Sequence, residues 1–360
     1  MKHRILYLID RLHTGGTERQ LIALINGLDR ERFEPHVGVL NLPGGCNFDP
    51  LDVPKFSLSF TSFCHPSVLK NVWHLARYVR RHRIQLVQTF FQDPFLLAAL
   101  SKPFHRARLI GSFRDMGFWR TRQQTVKMRL AYPAFDGFIA NSQAVRDQFV
   151  AADMLDSAKF AVIYNGIDLA TLPFRAAESS PRVVGIVANL NRPVKRVQDF
   201  VTAAGLVHRQ RPDVRFCVVG GGYLQPELEQ QARDLGLGDS ITFTGLMDDP
   251  LRFVANWSVG VITSETEGFC NAIVEYMACG LPVVATSAGG NPELVTEGES
   301  GFLVPVGAPD LLAQRIVTLL GGTGRAADMG RNNAATIRNR FSLQTMVDRH
   351  EQQYSNWLVG

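Results

Sequence analysis

Cysteine is scarce and scattered: five residues, at 46, 64, 217, 270 and 279, with no CxxC pair and no zinc-ligand spacing. An odd, dispersed set excludes a disulfide framework and a zinc module, and fits reduced, buried thiols in the cytoplasm. No apolar run reaches the roughly 18–20 residues of a membrane span. The opening run from Arg4 to Asp10 is short and ends on an acid, unlike the apolar core of a secretory signal, so a cytoplasmic protein is expected. There is no GxGxxG, no low-complexity tract and no recognisable nucleic-acid-binding module. No convincing DxD-type pair of aspartates is seen either. Asp248 and Asp249 are adjacent, so no DxD-type metal site is expected.

What remains has the composition of a globular protein, with 46% hydrophobic and 20% charged residues over 360 positions. At roughly 150 residues per domain this is two domains. Charge is uneven between them. Residues 1–170 hold 22 Lys/Arg against 14 Asp/Glu, and residues 171–360 hold 16 against 19. A basic first half suits an anionic partner: nucleic acid, an anionic membrane surface or a phosphorylated substrate.

Along the chain, short apolar runs alternate with helical patterns, which predicts parallel sheets in both halves. Residues 4–9 read as a buried strand, followed by Gly15, Gly16 and an apolar helix face of Leu21, Leu24, Ile25 and Leu28. Strand, Gly-Gly turn and helix open a nucleotide-type α/β unit. Further strands are expected at 36–40, 86–91, 109–113, 135–142 and 159–168, with a helix at 68–83 rich in Arg and Ser142 as a helix cap. Polar residues at carboxyl ends of strands mark ligand edges. On that ground Gln92, Asp93 and the segment Arg114 to Arg120 are candidate ligand-binding residues. The small, polar segment 176–181 places a boundary at 175/176.

The most informative stretch is 259–286. A short β-type run ends near Thr263, a turn carries Glu267 and Gly268, and a helix is expected from Asn271 to Cys279, closed by Gly280 and Pro282. Backbone amides of Gly268, Phe269, Cys270 and Asn271 then face the helix N-terminus and make an anion site. Glu267 stands just before the helix and Glu275 two turns into it. Carboxylates beside a phosphate site are suited to accepting hydrogen bonds from sugar hydroxyls.

Glu267-x7-Glu275, Ala278-x-Gly280-x-Pro282-Val283-Val284-Ala285-Thr286 and Gly289-Gly290-x-x-Glu293 together resemble the donor-site signature of glycosyltransferase family 4. The resemblance implies the GT-B fold: two Rossmann-like domains, at 1–175 and 176–340, with parallel sheets facing across a cleft. A C-terminal helix at 341–360 is expected to return to the first domain. It also implies a retaining transferase that uses a nucleoside-diphosphate sugar and no cofactor or metal. Glu267 would touch the transferred sugar, Glu275 the ribose, and the amides after Gly268 the diphosphate. Gly15 and Gly16 would lie near acceptor and diphosphate. The loops at Gly220 and Met247 would receive the base.

Two positions depart from the family pattern. The family holds the diphosphate with an Arg six positions before a Lys. Here Lys195 is kept but the Arg position is Asn189, so Arg192 or Arg196 is expected to supply the charge. A His expected over the donor sugar is replaced by Arg114, which keeps reach to a phosphate. Retention implies front-face displacement without a covalent nucleophile. The acceptor is expected to be a sugar or lipid-linked sugar in surface polysaccharide or glycolipid assembly, with peripheral membrane contact through the basic first half. A silent nucleotide-sugar-binding protein and a nucleotide-sugar epimerase are the alternatives.

Overall fold

A strand that is apolar at every position needs cover on both faces. In β1 (His3–Ile9) every residue from Ile5 onward is buried, and the strand is paired on both edges. The computed structural model describes residues 2–12, 15–41, 51–172, 182–247, 249–322 and 324–359. The backbone divides into unit 1, Met1–Gly166 with Leu343–Gly360, and unit 2, Ile167–Ser342. The expected boundary at 175/176 lies outside the described residues, as do Thr14, Cys46 and Asp248.

Unit 1 runs β1, α1 (Gly16–Gly27), β2 (Phe33–Val39), β3 (Lys55–Ser57), α2 (Ser67–Arg81), β4 (Leu86–Phe90), α3 (Gln92–Ser101), β5 (Arg108–Phe113), α4 (Arg122–Ala131), β6 (Gly137–Ala140), α5 (Gln143–Asp153) and β7 (Phe160–Val162). Unit 2 runs β8 (Val183–Val187), α6 (Val197–Gln210), β9 (Arg215–Val219), α7 (Gln225–Asp234), β10 (Ile241–Phe243), α8 (Leu251–Val254), β11 (Val259–Ile262), α9 (Asn271–Ala278), β12 (Val283–Thr286), α10 (Asn291–Leu294), β13 (Gly301–Val304), α11 (Pro309–Leu320) and α12 (Arg325–Arg340). The last helix, α13 (Leu343–Val359), belongs to unit 1. Both sheets are parallel, in the orders β3-β2-β1-β4-β5-β6-β7 and β10-β9-β8-β11-β12-β13. These are two Rossmann-like α/β units.

Local signals match the backbone where they are short-range. Ser142 Oγ accepts from the Val145 amide at 3.1 Å, capping α5. Gly280 closes α9 with φ of 71°, a left-handed conformation open to glycine. In the 159–168 segment Phe160–Val162 pair as a strand, and the chain leaves the sheet before Asn165-Gly166-Ile167-Asp168, a turn signal in its own right. Cys217, Cys270 and Cys279 are buried thiols, but Cys64 is exposed, against the expectation of an all-buried set. No helix among the described residues is long and apolar enough to cross a membrane.

The unit 1 sheet is covered by α2, α3, α4 and α5 on one face and by α1 and α13 on the other. The seat of α13 is polar as well as apolar. Buried Tyr354 donates to Gln88 Oε1 at 2.6 Å and accepts from Tyr7 at 3.2 Å. Glu351 accepts from the Asp29 amide at 2.7 Å and pairs with Arg32 at 3.0 Å. Removing one partner of a buried hydrogen bond strands the other, at about 1–3 kcal/mol. Tyr354→Phe is therefore expected to lower the thermal midpoint by several degrees, measured by calorimetry, with Tyr354→Ala lower still.

Candidate functional site

In an open parallel sheet, ligands sit beyond the carboxyl ends of the strands, where the strand order reverses. In unit 2 that point lies between β8 and β11: from β8 the chain moves outward to β9 and β10, and from β11 the other way to β12 and β13. The segments leaving these two strands are 188–196 and 263–270. They are tied by one backbone and one side-chain hydrogen bond. The Glu265 amide donates to the Val194 carbonyl at 2.9 Å, and Thr263 Oγ1 donates to the Lys195 carbonyl at 2.8 Å.

Those ties bring Lys195 Nζ to 2.6 Å from Glu267 Oε1. Ser264 Oγ donates to the same oxygen at 2.6 Å, and Glu267 is buried. The main chain of Glu267 is fixed too. Its carbonyl accepts from the Gly290 amide at 3.1 Å, and a side chain on Gly289 would place its Cβ 1.8 Å from that oxygen. Gly289 also has φ of 51°, so only glycine fits without strain. Burial opposes the charge on Lys195, but adjacent Glu267 outweighs it and the ammonium pKa is raised. Lys195 lies in a single 3-10 turn, Pro193–Lys195, just ahead of α6.

Helix α9 begins at Asn271 with Cys270 as its N-cap, so Gly268, Phe269 and Cys270 lead into its positive end. Phe269 and Cys270 are buried and fasten the turn. Burial, and then Glu267, push the Cys270 thiol far up, which disfavours the thiolate. Glu275 is the fifth residue of α9, one turn nearer the helix start than expected.

The arginines offered in place of the missing one separate. Arg196 is engaged, holding Asp199 through two contacts at 2.7 and 3.1 Å and lying 3.8 Å from Glu265. Arg192 is exposed, and its charge is felt at Lys195. Asn189 closes its own turn, its Oδ1 accepting from the Asn191 amide at 2.9 Å. The neighbouring loops lock to it. Leu190 donates to the Gly221 carbonyl at 3.1 Å, Asn191 Oδ1 accepts from the Tyr223 amide at 3.0 Å, and Gly220 donates to the Gly245 carbonyl at 3.0 Å. Gly220 has φ of 133° and its Cβ would fall 1.9 Å from the Ala188 carbonyl. Gly220 and half-buried Met247 thus sit on loops at the same sheet edge as Lys195 and Glu267.

In unit 1 the order reverses between β1 and β4. Gly15 caps α1, which starts at Gly16. Gln20 holds Gly166 through Nε2 to its carbonyl at 2.9 Å and Oε1 from its amide at 3.1 Å. Arg114, just after β5, donates from Nη2 to Asn165 Oδ1 at 2.7 Å, while its Nε is buried without a hydrogen-bond partner. Burial draws its pKa down to about 10. Sequence reading passed over Asp10, directly after β1. Burial, and next Asp93, push its carboxyl up to about 7. Its only signal was its position as the first polar residue beyond a fully buried strand. Ser264 and Asn165, which hold Glu267 and Arg114, were also missed as site residues.

Comparison with known proteins adds the following. Residues 14–171 match the family described as Glycosyltransferase Family 4, and residues 181–321 match Glycosyl transferases group 1. N-acetyl-alpha-D-glucosaminyl L-malate synthase of Bacillus anthracis is 30% identical over 45% of this chain, which spans 42% of that enzyme. A Campylobacter jejuni enzyme, N-acetylgalactosamine-N,N'-diacetylbacillosaminyl-diphospho-undecaprenol 4-alpha-N-acetylgalactosaminyltransferase, is 23% identical over 86% of this chain and 88% of its own. Among solved structures, Anabaena Alr3699/HepE in complex with UDP is 27% identical with a TM-score of 0.84, covering 99% of this chain and 100% of that one. The same protein in complex with UDP-glucose gives 0.81 at 27% identity, covering 98% and 99%.

Two outcomes follow from this geometry. Gly289→Ala is expected to destabilise the protein by about 1–3 kcal/mol, since the backbone there is both left-handed and crowded; thermal unfolding measures it. Asp10 has a folded pKa above its unfolded one, so its contribution to stability is present below about pH 4 and is lost as pH rises to about 7. Asp10→Asn should then gain on the wild type across that window, by about 2 kcal/mol at pH 8 after allowing for solvent access. Midpoints measured from pH 4 to 8 check this, and a constant difference would show that Asp10 titrates normally.

Proposed function

Because the chain belongs to glycosyltransferase family 4 and has its GT-B fold, we propose that it moves a sugar from a nucleoside-diphosphate sugar to an acceptor hydroxyl with retention of configuration. The observation that carries this reading is the Lys195–Glu267 pair, set at the N-terminus of α9 and at the strand-order reversal of unit 2. Lys195, Arg192 and the amides from Gly268 to Asn271 take the donor diphosphate. As the anomeric C–O bond breaks, negative charge grows on the leaving phosphate oxygen, and these fixed positive groups stabilise it. Glu267 accepts hydrogen bonds from the sugar and holds it, Glu275 takes the ribose, and the loops at Gly220 and Met247 take the base. The acceptor oxygen bonds to the anomeric carbon on the face the phosphate leaves, and its proton passes to a phosphate oxygen of the donor. No metal is assigned a part.

HepE, solved with UDP and UDP-glucose, supports a uridine donor. The Campylobacter enzyme is named for a sugar carried on diphospho-undecaprenol, which supports a lipid-linked sugar acceptor. Arg114, with an unpartnered Nε, is the unit 1 cation assigned to a phosphate of the bound substrates.

Incubation with uridine- and guanosine-diphosphate sugars, without acceptor, tests the reading. Slow release of nucleoside diphosphate is expected, undiminished by EDTA. It should fall about a hundredfold or more in Glu267→Ala and about tenfold or more in Lys195→Ala. Undiminished release in Glu267→Ala removes the site assignment, and failure of every nucleotide sugar to bind removes the function.

A further inference from the structure

Residues 67–131 hold thirteen Lys/Arg and two Asp/Glu, in a chain whose net charge is only +5. This segment builds α2, α3 and α4, neighbours on one face of the unit 1 sheet, each packed on the next. Helix α2 buries Val72, Leu75, Ala76 and Val79 and turns Leu69, Lys70, Trp73, Arg77 and Arg81 to solvent at helical spacing. Neither α2 nor α4 contains an acidic residue.

The outward side of this layer is apolar as well as basic. Leu69 is 76% exposed and Trp73 54%, with the Arg77 guanidinium 5.0 Å above the Trp73 ring. Phe104, just beyond α3, is 56% exposed, and Leu130 of α4 is 79% exposed. At the lower edge, between the end of α2 and Phe104, lies an open groove of about 630 Å³. Arg80, Arg83, Arg106 and Arg108 line it, and none of the four pairs with a carboxylate among the described residues.

We infer that this face docks on an anionic lipid bilayer, with the arginine groove receiving a lipid phosphate. The cations meet a plane of negative charge. Trp73 stands at headgroup depth, and the leucines and Phe104 enter the apolar boundary. Charge alone would also suit a nucleic acid. Leu69 and Leu130 decide against it, because protruding aliphatic side chains have no partner on a phosphate backbone and gain only by entering an apolar phase. The inference stands on unit 1 alone and does not depend on the donor chemistry.

The full chain is mixed, without donor, with vesicles of phosphatidylcholine containing about 30% phosphatidylglycerol, and sedimented at about 0.1 M and 0.5 M salt. Binding is expected at low salt only, with none to phosphatidylcholine alone. Arg77→Glu with Arg81→Glu should weaken it at least about tenfold, and Trp73→Ser about fivefold, with unchanged circular dichroism. Arg209→Glu with Arg338→Glu, in unit 2, should leave it unchanged. No sedimentation at low salt, undiminished binding by the α2 variants, or tighter retention by single-stranded RNA than by these vesicles would overturn the inference.

Discussion

An ammonium and a carboxylate 2.6 Å apart, largely out of water, hold the functional end of unit 2 together. Such a pair loses hydration, and attraction alone repays that only when the remaining lone pairs are also satisfied. Here Ser264 meets the same carboxylate oxygen, and the segments carrying the two charges are joined by one backbone and one side-chain hydrogen bond. The arrangement is possible because β8 and β11 are adjacent parallel strands whose following segments depart in opposite directions. Two charges from distant parts of the sequence therefore meet, with Arg196, next to Lys195, held at a left-handed φ of 47°.

What the sequence disclosed and what it hid follow from distance along the chain. Glu267, the helix at 271 and the stop at Gly280 lie within one strand-turn-helix unit, where capping and glycine chemistry act between near neighbours. The Ser142 cap was legible for the same reason. The bond between Lys195 and Glu267 spans seventy-two positions and was not visible, although each residue was singled out. Nothing in the spacing of Arg192 and Arg196 says that Asp199 captures the second, because both flank the same lysine. Asp10 owes its raised carboxyl first to burial and next to Asp93, a neighbour supplied by the pairing of β1 with β4. Sheet order, rather than local pattern, was the missing information.

The two departures from the family pattern have distinct physical meanings. Asn189 is too short to reach an anion from where an arginine would, and its amide oxygen is spent closing a turn that aims the next loop. Arg192, three positions onward and exposed, is the cation proposed in its place. Arg114 brings a guanidinium to a place where burial disfavours charge, and Asn165, a neutral acceptor, is the hydrogen-bond partner seen for it. A neutral partner leaves its positive field uncancelled, which an aspartate there would have removed.

The helix that completes unit 1 is encoded after all of unit 2. During synthesis, Tyr7, Phe33 and Gln88 emerge early but find Tyr354 only once residues 343–359 have been made. Until then one face of the first sheet carries an apolar trough and an unmatched glutamine oxygen. Unit 2, continuous in sequence, has no such wait. The nascent chain is thus most exposed to misassociation in the domain made first, reversing the usual advantage of being translated early.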